Sequence, residues 1–149
     1  MTALAPLPDS RALLVGDEDG VVRLWDARTG KPQGAPTTAA AGAVAQIAVS
    51  LDGQRFAVAD FAGGAKLWDV ATRKRVGGEF PVSDGTVPAV TFAPGGRLVI
   101  TEPGSATVWP TDRPTLQRFA CQIAGRNLTR DEWKDLLPAR PYRQLCPAR

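Results

Sequence analysis

Val21-Val22-Arg23-Leu24-Trp25-Asp26 is written into this chain more than once. It returns as Ala65-Lys66-Leu67-Trp68-Asp69 and, worn, as Ala106-Thr107-Val108-Trp109-Pro110, so that the three tryptophans stand 43 and 41 residues apart. A turn precedes each copy: Pro8-Asp9-Ser10, Leu51-Asp52-Gly53 and Pro94-Gly95-Gly96 recur 43 residues apart each time. Asp suits such a turn because its carboxylate bonds the backbone that follows, and Gly because it takes positive φ without steric cost. Between each turn and its Trp motif runs an apolar or alternating strand: Ala12 to Val15, Phe56 to Ala59, and Leu98 to Thr101. Val44 to Val49 and Val87 to Phe92 are near-continuous apolar runs, the pattern of strands buried on both faces.

A self-similar period of roughly 40–45 residues carrying a Trp-Asp pair is what a four-stranded propeller blade produces. On these residues the chain resembles the WD40-repeat family. The resemblance implies an all-β fold, a partial propeller of about two and a half to three blades over 1–110; the residues of 111–149 are expected to add a pair of short α-helices. Trp25, Asp26, Trp68, Asp69 and Trp109 are then structural signature residues: the tryptophans fill blade cores, and each aspartate ties its own strand end. In better-preserved repeats of the family a hairpin Asp, a Ser/Thr, a His and the Trp form a buried hydrogen-bond network. This chain has no His, so that network is expected to be incomplete.

Met1 to Pro8 should supply at most a stunted inner strand, because Pro6 and Pro8 both oppose a ladder. The reading is therefore of a chain that opens inside a blade, completes one blade, and ends with three strands of another. Propellers close with about 4–8 blades, and an unclosed stack leaves a bare blade face at each end. The expected remedies are missing propeller blades from a longer chain, a homo-oligomer whose copies complete the ring, or some other cover.

The outer strand expected after Trp109 is replaced by helical signals. Leu116, Phe119, Ala120 and Ile123 fall on one helical face, with Asp112 placed to cap, Pro114 in the first turn and Gly125 at the stop. Thr129-Arg130-Asp131-Glu132 is a capping box, with Leu128 and Trp133 spaced as a hydrophobic staple. A helix is expected over 130–137, burying Trp133, Leu136 and Leu137, with Pro138 discouraging continuation. Ala139 to Arg149 reads as an extended tail anchored by Tyr142 and Leu145.

Ala120 to Trp133, with Pro141-Tyr142-Arg143 and Cys146-Pro147, is similar to the C-terminal ending of many bacterial, commonly actinobacterial, WD40 proteins. Many of those carry an upstream signalling NTPase, helix-turn-helix, protease or kinase domain. The resemblance implies a natural propeller C-terminus and holds Cys121 and Cys146 together. The residues alone leave three readings: a tail-closing disulfide, two buried free thiols, or reactive cysteines. The two sulfurs are expected to lie near each other. No phosphate-cradling Gly-x-x-x-x-Gly-Lys-Ser/Thr is present, so no NTPase activity carries over.

The absence of His removes the commonest general base and metal ligand and every Ser-His or Cys-His pair. Two cysteines cannot build a four-thiolate zinc site within one chain. Asp17-Glu18-Asp19-Gly20 resembles a calcium loop only superficially; Asp19-Gly20 is a hairpin-turn signal. No catalytic, cofactor or metal site is expected. Formal net charge is +3, which calls for neither nucleic acid nor membrane, although residues from Thr111 onward carry eight Lys/Arg against four Asp/Glu. That excess reads as a solvated tail or as a patch for an acidic partner. The start has no basic region followed by an apolar run, so a cytoplasmic location is expected. The function expected is a non-enzymatic protein-interaction scaffold in signal transduction, with partner contacts at Arg73, Lys74 and Arg75 and around Arg28 to Gln33. The alternative is the sensor end of a split or truncated WD40-containing signalling ATPase. Hydrolytic activity has no nameable nucleophile–base pair.

Overall fold

The structure is a computed structural model describing residues 1–83 and 87–146; the side chains of Arg113 and Phe119 and residues 147–149, the end of the expected tail, lie outside the described residues. The chain divides into two compact units, Met1–Trp109 and Pro110–Arg149.

Among the described residues the first unit holds three antiparallel sheets, one per repeat. The first contains β1 (Ala3–Pro6), β2 (Ala12–Gly16), β3 (Val21–Asp26) and β4 (Thr37–Thr38), in that order. The second repeats the order with β5 (Val44–Val49), β6 (Arg55–Asp60), β7 (Ala65–Asp69) and β8 (Arg75–Phe80). The third has three strands, β9 (Ala89–Ala93), β10 (Arg97–Glu102) and β11 (Ser105–Pro110), with β10 central. The described residues thus form two four-stranded blades and three strands of another, which corrects the expectation of a chain opening inside its first blade. Pro6 is accommodated because β1 lies at the sheet edge and Pro6 ends it, opposite Leu13. An edge strand tolerates a residue without an N–H donor.

The second sheet has one face of large side chains and one made mostly of alanine, and both faces are covered. Ile47, Phe56, Val58 and Trp68 of the second blade pack with Ala5, Leu14 and Val22 of the first. The second blade then turns its small face, Ala57, Ala59, Ala65 and Leu67, toward Val90, Leu98 and Ile100 of the third. β6 is buried along nearly its whole length because it is covered on both sides. Removing a side chain such as Phe56 (1% exposed) from water contributes about 1.5–3 kcal/mol.

The first two blades approach closely at Gly16. A Cβ there would lie 2.6 Å from Val44 Cγ1, and Val44 is fully buried. Gly16 is required by this approach rather than by its backbone conformation.

The second unit contains α1 (Arg113–Ala124), α2 (Arg130–Leu136) and a returning tail. Asp112 caps α1 by accepting from the Thr115 N–H, and Gly125 ends it in the left-handed region at φ 69°. The expected apolar face of α1 is not a buried one: Leu116 is 41% and Ile123 74% exposed. In α2 only Trp133 is buried, Leu136 is exposed, and Leu137 is the C-cap. A seven-residue helix has about two turns, so one bulky ring and the returning tail suffice to cover its inner side.

Gly16→Ala is expected to destabilise the first unit by about 1–3 kcal/mol through overpacking. Combined with Val44→Ala, the loss should be smaller than the sum of the two single losses. Urea denaturation of the three variants measures this coupling.

Candidate functional site

The Trp-Asp signature closes the turn that follows it. Asp26 accepts from the backbone N–H of Arg28 (3.0 Å) and Thr29 (2.7 Å) and from the Thr29 hydroxyl (2.9 Å). Asp69 accepts from the Thr72 N–H and hydroxyl, both at 2.8 Å. The Thr29 and Thr72 backbone donors hold these carboxyls below the usual Asp range. Both aspartates are committed to their own strand ends.

Trp68 stacks on Phe56 with ring centroids 6.3 Å apart, and Trp109 leans on Phe80 at 5.5 Å. The indole N–H groups of Trp25, Trp68 and Trp109 are all buried without a hydrogen-bond partner. Across the strands Trp68 stands opposite Phe56 and Arg75, and neither side chain carries an acceptor.

A second recurring feature was not singled out in the sequence. The acidic residue at or just after the end of each blade's second strand, Asp17, Asp60 and Glu102, occupies one repeat position. Asp60 is 1% exposed. It accepts from the N–H groups of Ala62 and Gly64 in its own hairpin and from Ala41 in the connection arriving from the first blade. Glu102 accepts in the same way from the N–H and hydroxyl of Ser83, in the connection arriving from the second blade. These carboxylates latch successive blades through backbone donors. Asp17 makes the same bond to its own hairpin, from the Val21 N–H, but its second oxygen is paired with Arg23. Burial opposes ionisation there, yet the Val21 and Arg23 donors hold the carboxyl below its ordinary value. The signal for this set was present as acidic residues 43 and 42 positions apart. The Trp motif lies beside it and drew the reading away.

The cationic triplet divides by role. Arg73, at φ 55°, donates from Nη1 to the Ala35 carbonyl (2.7 Å), which occupies it as a strut between the first two blades. Lys74 and Arg75 are exposed. Arg75 lines one of two open clefts between these blades and Arg73 the other, while Lys74 lines neither. One, about 450 Å³, is lined by Ala35, Pro36, Thr37, Ala71, Thr72 and Arg73. The other, about 340 Å³, is lined by Thr38 to Ala41, Lys66, Trp68 and Arg75. Lys66 is neutralised by Glu79 (2.9 Å) and Asp60 (3.6 Å), which leaves Arg75 as the unneutralised cation of that cleft. Arg28 and Lys31 are exposed on the corresponding turn of the first blade.

In the second unit the Thr129 hydroxyl accepts from the Glu132 N–H, and Glu132 accepts from the Thr129 N–H. Arg126 grips Glu132 through two bonds of 2.7 Å. Trp133 donates its indole N–H to the Arg140 carbonyl and meets Tyr142 edge-on at 5.6 Å. Tyr142 in turn donates to the Leu128 carbonyl. Asn127 accepts from the backbone N–H of Leu145 and Cys146, and Cys121 and Cys146 are disulfide-bonded, with Cα atoms 5.5 Å apart. Among the described residues there is no cluster of His, Cys, Asp or Glu suited to a metal ion, and no helix is long and apolar enough to cross a membrane.

Comparison with known proteins agrees with this architecture. The family model described as "WD domain, G-beta repeat" matches residues 1–26. A search among curated proteins finds no match. Among solved structures, the RRP9 WD40 repeats are similar over 74% of this chain, with a TM-score of 0.65 and 21% identity. U3-55K is similar over the same share, with a TM-score of 0.63 and 20% identity. The dihydro-heme d1 dehydrogenase NirN, in complex with DHE, gives 0.61 at 24% identity, also over 74%. The chain covers 36% of the U3-55K chain, 35% of the RRP9 chain and 25% of the NirN chain, about a third of their length or less. The fold is that of a partial β-propeller, as in the WD40 structures it is similar to.

Arg126 and the Thr129 N–H hold the Glu132 carboxyl down at about 2, against an ordinary value of 4.5. A carboxyl depressed in the folded state adds stability that is complete above the unfolded pKa and is lost as pH falls through the folded one. Glu132→Gln should therefore unfold at lower temperature than the parent chain at neutral pH. The gap between the two melting curves should close between pH 5 and pH 2, as followed by circular dichroism.

Proposed function

We propose that this chain is a non-enzymatic protein-interaction scaffold that receives an acidic polypeptide segment along the clefts between its first two blades. The observation that carries this reading is the division of labour in the cationic triplet. Arg73 lines one cleft and donates to the Ala35 carbonyl, whereas Arg75 stands exposed in the wall of the other, with Lys74 exposed next to it in the chain. Connections on a rigid sheet scaffold commonly carry recognition, and a single-sign cluster attracts a partner of opposite sign. The cleft at Trp68 adds an apolar floor from Ala39, Ala40 and the indole, the mix of surfaces that specific peptide sites use.

The Cys121–Cys146 bridge bears on location. Such bridges persist in oxidising compartments and are rare in the cytosol, so it favours an oxidising compartment over the cytoplasmic location expected from the sequence.

Fluorescence anisotropy of the full chain with labelled Glu-rich, neutral and Lys-rich peptides and a single-stranded oligonucleotide tests the reading. The Glu-rich peptide should bind best, weaken as salt rises, and lose at least about ten-fold in affinity with Lys74→Glu/Arg75→Glu, the scale of two charge contacts removed. Equal binding of all peptides, preference for the oligonucleotide, or indifference to the charge reversal would overturn it.

A further inference from the structure

Residues 138–146 form neither strand nor helix, so this segment is held by groups outside itself. Asn127 clasps Leu145 and Cys146: its side-chain carbonyl accepts from both backbone N–H groups, and its amide donates to the Cys146 carbonyl at 3.0 Å. Gln117 donates to the Leu145 carbonyl. Trp133 donates to the Arg140 carbonyl, Tyr142 donates to the Leu128 carbonyl, and the Arg130 guanidinium lies 5.1 Å from the centre of the Tyr142 ring. Among the described residues Trp133 is the one buried apolar side chain of this unit, and Tyr142 of the segment meets it edge-on. Fixing the backbone of one residue costs about as much as one hydrogen bond contributes net, and these bonds are fewer than the residues they order. The covalent bridge from Cys121 to Cys146 makes up the difference.

The bridge is also within reach. Both cysteines are half-buried rather than enclosed. Cys121, not Cys146, stands in the wall of an open cleft of about 220 Å³ together with Pro114, Gln117 and Arg118. Arg118 is exposed and donates from Nη2 to the Thr115 hydroxyl at 3.2 Å, so the cleft that holds the sulfur carries a positive charge. Asp112, which feels that charge, is committed to the Thr115 N–H at the helix cap. A cation beside the sulfur attracts an anionic thiol and favours its thiolate, the attacking form.

We propose that the Cys121–Cys146 bridge is a reversible latch, and that the cleft at Cys121 is the entry site for a small anionic thiol of the glutathione kind. The incoming thiolate attacks Cys121 Sγ. A new S–S bond forms as the Sγ–Sγ bond breaks, and the electron pair leaves on Cys146, which takes a proton from water. A second thiolate attacks the small molecule's sulfur in the mixed disulfide, releasing Cys121 and carrying off the oxidised thiol as its own disulfide. Two thiols are thereby oxidised and one bridge is reduced. The segment 138–146, no longer cross-linked, leaves Trp133, because a unit with so little buried apolar surface opens locally. The blades keep their form, since their cores are built from first-unit residues. The latch makes no use of the clefts between the first two blades, so peptide binding can fail while the latch stands, and the converse.

The four indole N–H signals in a proton–nitrogen correlation spectrum of the full chain follow both units at once, with Trp133→Phe assigning the signal of the second unit. Glutathione should move the Trp133 signal to the position of a free indole and leave those of Trp25, Trp68 and Trp109 in place. Oxidised glutathione should return it. Arg118→Gln should slow bridge opening by glutathione about two- to five-fold, the scale of one exposed charge contact, without slowing opening by the cationic thiol cysteamine. A bridge that glutathione does not open in the folded chain would overturn the latch. So would a Trp133 signal unmoved once mass spectrometry shows both cysteines reduced, or all four indole signals moving together. Equal slowing of the two thiols, or none, would overturn the anionic entry site.

Discussion

The structure depends on one packing constraint: the bulky face of the central sheet must fit the first sheet, and its alanine-rich face the third. Phe56, Val58 and Trp68 reach into the first blade because Ala5, Leu14 and Val22 leave them room. Val44 is fully buried where Gly16, carrying no side chain, lets the first blade come close. The same relation then joins the second blade to the third through Ala57, Ala59 and Ala65. Interiors pack at crystal-like density, so this alternation fixes both the direction and the spacing of the stack.

Polar chemistry reinforces that stacking unevenly. Backbone donors from each arriving connection satisfy Asp60 and Glu102, so the blade-to-blade carboxylate bonds need no histidine. Gln46 adds a further tie by accepting from the Val90 N–H at 2.9 Å. The indoles have no such substitute. Three buried N–H groups without partners cost about 1–3 kcal/mol each when no bond replaces hydration. The blades are thus held by apolar packing and carboxylate latches, while their tryptophans contribute area without polar anchoring.

The second unit solves a different problem, since two short helices offer little apolar surface. One buried ring, Trp133, with its N–H satisfied by Arg140, provides the centre. Around it the tail is fixed by side-chain bonds to backbone from Asn127 and Tyr142 and by a covalent bridge across 25 residues. Cross-linking a span of this size restricts the unfolded chain by about 3 kcal/mol. Small units with meagre cores commonly require such support.

What the sequence determined by itself was whatever local chemistry repeats or caps: the turn positions, the strand–turn–Trp order of three blades, the Asp112 and Thr129 caps and the Gly125 stop. Those depend on residues a few positions apart, and their spacing is visible in one dimension. The tertiary structure decided what depends on which chain segments meet. It paired β1 into a full first blade despite Pro6, left Leu116, Ile123 and Leu136 in the open, and committed Arg73 to Ala35 while leaving Lys74 and Arg75 exposed. It also brought Asp60 to Ala41 and Glu102 to Ser83, contacts across 19 residues that no local pattern announces. The large and small faces of the second blade were written in alternate residues all along, but only the stacking revealed which neighbour each one meets.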